Sequence, residues 1–287
     1  MPTIFCPGCG HGTVLNAFLR VIDDMGIIDD LSLVGGIGCS SWTPVFINTD
    51  VMHTLHGRAI AVATGLKLAN PGRHVVAFTG DGDCIGIGGN HFLHGARRNI
   101  DMTVIMLDNH IYGMTGGQVA PTTPFQATTQ TSPYGNPEPP IDACAVAKSC
   151  GATYVARWTS AHPREITKAI KEAIDHKGFS FVQVLTQCPT YAGRYIFKTP
   201  SAQDLLKRLK SLSLKKSRAD KMPAAELAGR IVIGKLHQTD ERPELCESIY
   251  ALMKTLDNRW GYFGDQSDLH AVYRKRPGYW YRWYSCG

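Results

Sequence analysis

No apolar run in this 287-residue sequence approaches the roughly 18 residues that a membrane helix requires. The opening Met-Pro-Thr-Ile-Phe carries neither a basic segment nor a continuous apolar one, so no secretory leader is read. The expected setting is the cytoplasm, with no membrane partner. No glutamate precedes Glu138, so a glutamate-based acid or base for the first half of the chain must come from elsewhere. There is also no internal repeat and no low-complexity tract. Apolar residues make up 44% of the chain, enough for the core of one large domain, which excludes a disordered or fibrous chain.

Cysteine is present in an odd number, nine, spread over the whole length. In a reducing compartment that pattern argues against a disulfide framework and leaves metal ligation or plain buried thiols. The net charge of +6 is unevenly placed. Lys207, Arg208, Lys210, Lys215, Lys216, Arg218 and Lys221 crowd one stretch, and Arg274, Lys275, Arg276 and Arg282 another. These read as surface for an acidic partner, or as solvated lysines with none.

Short apolar runs ending in Gly, Asp or Asn mark strands at 31–38, 74–82, 102–109, 152–158 and 179–187. Amphipathic segments between them predict helices at 13–24, 57–69, 89–98, 142–149 and 163–176. Nearly all-apolar strands separated by helices imply an α/β fold, a mostly parallel sheet covered on both faces. In such sheets ligands bind at the carboxyl ends of the strands, which here end in Gly38-Cys39-Ser40, Gly80-Asp81-Gly82-Asp83, Asp108-Asn109 and Gln187-Cys188. From Ser201 the texture becomes basic and aperiodic. The expected division is a catalytic domain over 1–200 and an arm over 201–287 that packs on partner subunits, its aromatic end including Trp280 and Trp283.

The central signal is GDGDCIGIGG followed by MLDNHIYGMTGGQ. Magnesium wants oxygen ligands in octahedral geometry and usually shares them with phosphates. The Asp81 carboxylate, the Asn109 amide oxygen and the Ile111 carbonyl supply three. Gly80 and Gly82 let the backbone approach a diphosphate, and the following helix offers its first amides. An isolated Gly-Asp-Gly is more often a turn; the Asp-Asn at the next strand end is what favours a site. CPGCGHG, from Cys6 to Gly12, poses a separate question, since zinc, thiol redox chemistry and an iron–sulfur cluster all use such a pair.

Taken together, CPGCGHG, GIGCSSW, HGRAIAVATG, the Asp81–Asn109 span and YGMTGGQ resemble the beta subunit of the 2-oxoacid:ferredoxin oxidoreductases, nearest the 2-oxoglutarate type. The resemblance covers about residues 4–200. It implies a thiamine diphosphate-binding fold, with the cofactor held through Mg²⁺ on Asp81, Asn109 and Ile111. It further implies that Gly38, Cys39 and Ser40 form a loop beside the cofactor and that His56 and Gly57 face it, His56 as the catalytic histidine. Gly80, Gly82 and Asp83 would flank the diphosphate, and Gly113, Met114 and Thr115, continuing to Gln118, would wrap it and border the substrate. Cys6, Cys9, Cys39 and Cys188 would hold a [4Fe–4S] cluster. His11 would hydrogen-bond near it.

The activity so implied is oxidative decarboxylation of a 2-oxoacid, with the acyl group passed to coenzyme A and the electrons to ferredoxin. The missing glutamate then arrives from an alpha subunit, and further cluster-bearing subunits are compatible. Gly116 stands where some relatives of broad substrate range have lysine, so pyruvate and branched-chain or aryl 2-oxoacids stay open beside 2-oxoglutarate; Arg97, Arg98 and Arg194 are candidate anchors for a second carboxylate. Two rivals remain. A non-oxidative thiamine enzyme leaves the cysteines idle. A zinc-binding structural or nucleic-acid protein leaves the Asp81–Asn109 span unexplained, and its basic residues lack interleaved aromatics, so no nucleic-acid partner is expected.

Overall fold

Val14, Phe18, Val21 and Ile22 recur at helical spacing and are all buried on one face of α1 (His11–Met25). Gly26 ends that helix with φ 64°, its amide donating to the Ile22 and Asp23 carbonyls. The computed structural model of the chain describes residues 3–260. After α1 come β1 (Leu31–Gly35), β2 (Asp50–His53), α2 (Ala59–Ala69), β3 (His74–Gly80), α3 (Gly89–Arg98) and β4 (Met102–Asp108). A small antiparallel pair follows, β5 (Ile111–Tyr112) and β6 (Gln118–Val119). Next are α4 (Ala143–Cys150), β7 (Tyr154–Thr159), α5 (Pro163–Asp175), β8 (Phe179–Leu185), α6 (Ala192–Tyr195) and α7 (Ala202–Leu212). The last elements are β9 (Ser213–Lys215), α8 (Lys216–Ala219), β10 (Ile231–Gln238) and α9 (Leu245–Trp260).

Eight strands form one sheet in the order β2-β1-β3-β4-β8-β7-β10-β9. The first six run parallel, and β10 joins β7 antiparallel. Every residue of the central β4 and β8 is buried, as a sheet covered on both faces requires. On one face α1 and α5 pack through Phe18, Ile166 and Ile170; Phe18 meets Phe78 of β3 edge-on at 5.0 Å between ring centres. On the other, Phe92 of α3 stands against Phe179 and Phe181 of β8 at 6.2 and 4.8 Å. The expected α/β class and parallel sheet are what forms.

The unexpected strands are β2, whose four residues are all exposed, the short pair β5 and β6, and β9 and β10. Of these, β9 and β10 lie beyond residue 200, and the first compact unit runs to Cys246: β10 pairs along β7, and Arg242 donates to the carbonyls of Gly151 and Arg97. Asp101 N also donates to Glu244 Oε1 at 2.9 Å. A second unit begins at Glu247 and is described only as far as Trp260 in α9. The aromatic end, with Trp280, Trp283 and Cys286, lies outside the described residues. Among the described residues no helix is long and apolar enough to cross a membrane.

Phe18 is fully buried, so Phe18→Ala removes an aromatic anchor of the α1 face. The expected cost is about 3–5 kcal/mol, read as a lower denaturant midpoint at unchanged slope.

Candidate active site

The carboxyl ends of β1, β3 and β4 are adjacent in the sheet, and the segments that follow them line a cleft. Gly38, Cys39, Ser40, His56, Gly80, Asp81, Gly82, Asp83, Asn109, Ile111, Gly113, Met114 and Thr115 all line it. Gly57 does not; its amide sits just behind, donating to Asp83 Oδ1 at 2.7 Å. Ile37, Leu107, Tyr112 and His11 complete the wall.

After β3 the chain makes a wide π-helical turn, Gly82–Ile87, before α3, a rare conformation that recurs at functional sites. Gly82 is needed there because the Tyr112 ring lies against its Cα, where a Cβ would collide. The turn after β4 is tight as well. His110 adopts φ 65° and its amide donates to Asp108 Oδ1 at 3.1 Å, while Ile111 N donates to Asn109 Oδ1 at 3.2 Å. That turn aims the Asn109 amide and the Ile111 backbone at the cleft.

Asp81 is 4% exposed, and burial together with the neighbouring Asp108 carboxylate holds its carboxyl well above the usual carboxylate range. Thr122 Oγ1 lies 2.5 Å from Asp81 Oδ2 and 2.9 Å from Asp108 Oδ1, and its single proton cannot serve both. A shared proton or a bound cation would relieve this pair, and the oxygen donor set would suit a hard cation. Thr122 carries no sequence signal: it is one threonine in a loop distant from either aspartate. Two further features favour a polar guest. Ser40 Oγ is buried without a hydrogen-bond partner, and a Cβ on Gly38, at φ 134°, would meet nothing within 4 Å.

The thiols gather at one side of the cleft. Gly10 N donates to the Gln187 carbonyl at 3.0 Å, pinning the Cys6–Cys9 loop to the end of β8 beside Cys188. Burial pushes the Cys9 thiol up to about 12, opposed by a hydrogen bond from His11 and reinforced by Cys188, Cys39 and Cys6. Burial, Cys188 and Cys6 push Cys39 up to about 11. Gly113 stands between thiols and cleft: a Cβ there would lie 3.5 Å from Asn109 Nδ2, 3.7 Å from Cys39 Sγ and 4.0 Å from Cys188 Sγ. Among the described residues no three His, Cys, Asp or Glu side chains are grouped to hold a single metal ion. All eight described cysteines are free. His11 is buried beside Cys9 at 3.4 Å, and burial lowers its pKa to about 4.

Arg97, Arg98 and Arg194 do not line the cleft, nor does any other lysine or arginine among the described residues. Arg97 and Arg98 lie in the last turn of α3, the end away from the π-helical turn.

Residues 36–184 match the family described as thiamine pyrophosphate enzyme, C-terminal TPP binding domain. A 2-oxoglutarate synthase subunit KorB from Methanocaldococcus jannaschii is 51% identical over 257 residues, 89% of this chain and 94% of that protein. The beta subunit of 2-oxoacid:ferredoxin oxidoreductase 2 from Aeropyrum pernix is 37% identical over 87% of this chain and 84% of its own length. Among solved structures, the 2-oxoglutarate:ferredoxin oxidoreductase from Magnetococcus marinus, with 2-oxoglutarate, coenzyme A and succinyl-CoA bound, superposes with a TM-score of 0.80 at 35% identity. That match covers 96% of this chain and 94% of the other. With its cleft built from the matched segment and its relatives aligned along most of their length, the chain belongs to the beta subunits of the thiamine pyrophosphate-dependent 2-oxoacid:ferredoxin oxidoreductases.

Proposed function

We propose that this chain is the beta subunit of a 2-oxoglutarate:ferredoxin oxidoreductase that converts 2-oxoglutarate and coenzyme A to succinyl-CoA and carbon dioxide and passes the two electrons released to ferredoxin. The observation that carries the reading is the meeting at Gly113 of Asn109, on the Asp81 side of the cleft, with Cys39 and Cys188, and the closeness of Cys6, Cys39 and Cys188 to the buried Cys9. The preference for 2-oxoglutarate and the use of coenzyme A rest on the names of the relatives.

Asp81, Asn109 Oδ1 and the Ile111 carbonyl would hold Mg²⁺, and through it the diphosphate, with Ser40 Oγ and the open face of Gly38 on the cofactor's side. Cys6, Cys9, Cys39 and Cys188 would hold a [4Fe–4S] cluster, which, unlike zinc, can take the electrons that an oxidative decarboxylation releases. When bound, thiamine diphosphate supplies the electron sink for loss of carbon dioxide and the cluster a one-electron path onward. The chain's own part is to orient and to exclude water. His56 offers its outer ring nitrogen to the cleft as a proton holder, and Met114 and Thr115 border the substrate space.

The cleft walls contain two carboxylates, and both are engaged: Asp81 as above, Asp83 by four protein donors. Glu138 is exposed and away from the cleft. The carboxylate that activates the cofactor therefore comes from the alpha subunit, as does the cation that meets the distal carboxylate of the substrate. Between Gln187 and Lys221 there are nine Lys or Arg against two Asp, beside the exposed Cys6-Pro7-Gly8. Gly8 packs against Ala202, the first residue of α7, the helix that carries Lys207, Arg208 and Lys210. An acidic ferredoxin fits that face.

The deciding assay is the iron, acid-labile sulfide, zinc and thiamine diphosphate content of the anaerobically purified complex. About four irons and four sulfides per chain, lost in Cys188→Ser, are expected. Zinc without iron or thiamine would overturn the assignment. Asp81→Asn is expected to weaken Mg²⁺-dependent cofactor binding by at least about a hundredfold, read by titration calorimetry, while the chain stays folded. Reversing Lys207, Arg208 and Lys210 to Glu should slow reduction of ferredoxin about tenfold at low ionic strength and leave reduction of a viologen unchanged.

A further inference from the structure

Asp83 follows the Gly-Asp-Gly turn and is 3% exposed. Its Oδ1 accepts from His56 Nδ1 at 2.6 Å, from Gly57 N at 2.7 Å and from Ile37 N at 3.2 Å. Its Oδ2 accepts from Thr79 Oγ1 at 2.6 Å. Three donors crowd Oδ1, which has about two acceptor sites, and one holds Oδ2, so the oxygen that meets His56 is fully taken up by the protein. The chain is shaped to let it in. A Cβ on Gly36 would overlap the carboxylate itself, and Gly57 adopts φ 74° to turn its amide inward.

We propose that Asp83 is the positioning residue for His56. By holding the Nδ1–H it fixes the tautomer and leaves Nε2 as the ring nitrogen that faces the cleft. The same oxygen ties the segment after β1 and the segment before α2 to the turn after β3, so His56 and Ile37 keep a fixed distance from Asp81. An asparagine at 83 can do the same, because the amides of Gly57 and Ile37 both require an oxygen on the His56 side and the Thr79 hydroxyl can accept from the NH₂ group on the other. An alanine cannot.

The inference rests on the role given to His56 above, so its test has two separate readings. In the first, ¹⁵N-histidine spectra of the full chain in its complex are compared for the native protein, Asp83→Asn and Asp83→Ala, with His56→Ala assigning the signal. The expected result is a His56 proton fixed on Nδ1 in the native protein and in Asp83→Asn, and lost in Asp83→Ala. A native His56 protonated on Nε2, or exchanging between tautomers, overturns the proposal whatever the activities show. In the second, kcat and KM are measured with 2-oxoglutarate, coenzyme A and a viologen. Asp83→Ala should lower kcat roughly tenfold to a hundredfold, Asp83→Asn should recover roughly tenfold of that loss, and Asp83→Ala on top of His56→Ala should cost less than about twofold more. Full additivity, or an Asp83→Asn as poor as Asp83→Ala, overturns it. A fully active His56→Ala would instead remove His56 from the reaction, and the spectra would still decide what Asp83 does.

Discussion

Two carboxylates, Asp81 and Asp108, end neighbouring strands whose register sets Gly80 beside Leu107. Both are buried, and they share one hydroxyl. Like charges at that separation in a low dielectric repel strongly, so the pair either keeps a proton or takes a cation. Much of the surrounding structure maintains this arrangement. Gln183 Nε2 donates to Asp108 Oδ2 at 2.7 Å, and Arg157 Nε in turn donates to Gln183 Oε1 at 2.6 Å. The left-handed His110 turns the next residues back over the site. The sheet is thus the rigid frame against which an unfavourable electrostatic arrangement is held until a ligand completes it.

Sequence and structure agree most where the chemistry-bearing residues sit at the ends of apolar runs. β1, β3, β4, β7 and β8 are declared by their composition, and residues just beyond their carboxyl ends, Cys39, Asp81 and Asn109 among them, line the cleft. The rest depends on register and on long-range contact. β10 is hard to read because its run, IVIGKLH, lies in a basic stretch that otherwise looks like an arm, and only the edge of β7 makes it a strand. Thr122 becomes important because a loop brings it between two strand ends. Asp83 next to Gly-Asp-Gly suggests a ligand; what decides its partners is the inward turn of His56 and Gly57, which no local pattern announces.

The cleft is also informative in what it lacks. Among the described residues the wall holds two aspartates, a cysteine and two histidines, but no lysine, arginine or glutamate. The thiol loop faces the other way: Cys6 is exposed while Cys188 is buried, so the set spans from the cleft to the surface within a few residues.

The sheet ends in β2 on one side and β9 on the other, strands of four and three residues. Arg73 pairs with Asp50 at the start of β2, and β9 is followed at once by the charged α8. Unpaired backbone at a sheet margin invites another chain to add a strand, and short, charged margins discourage it. Growth of this sheet from one molecule into the next is therefore discouraged at both rims.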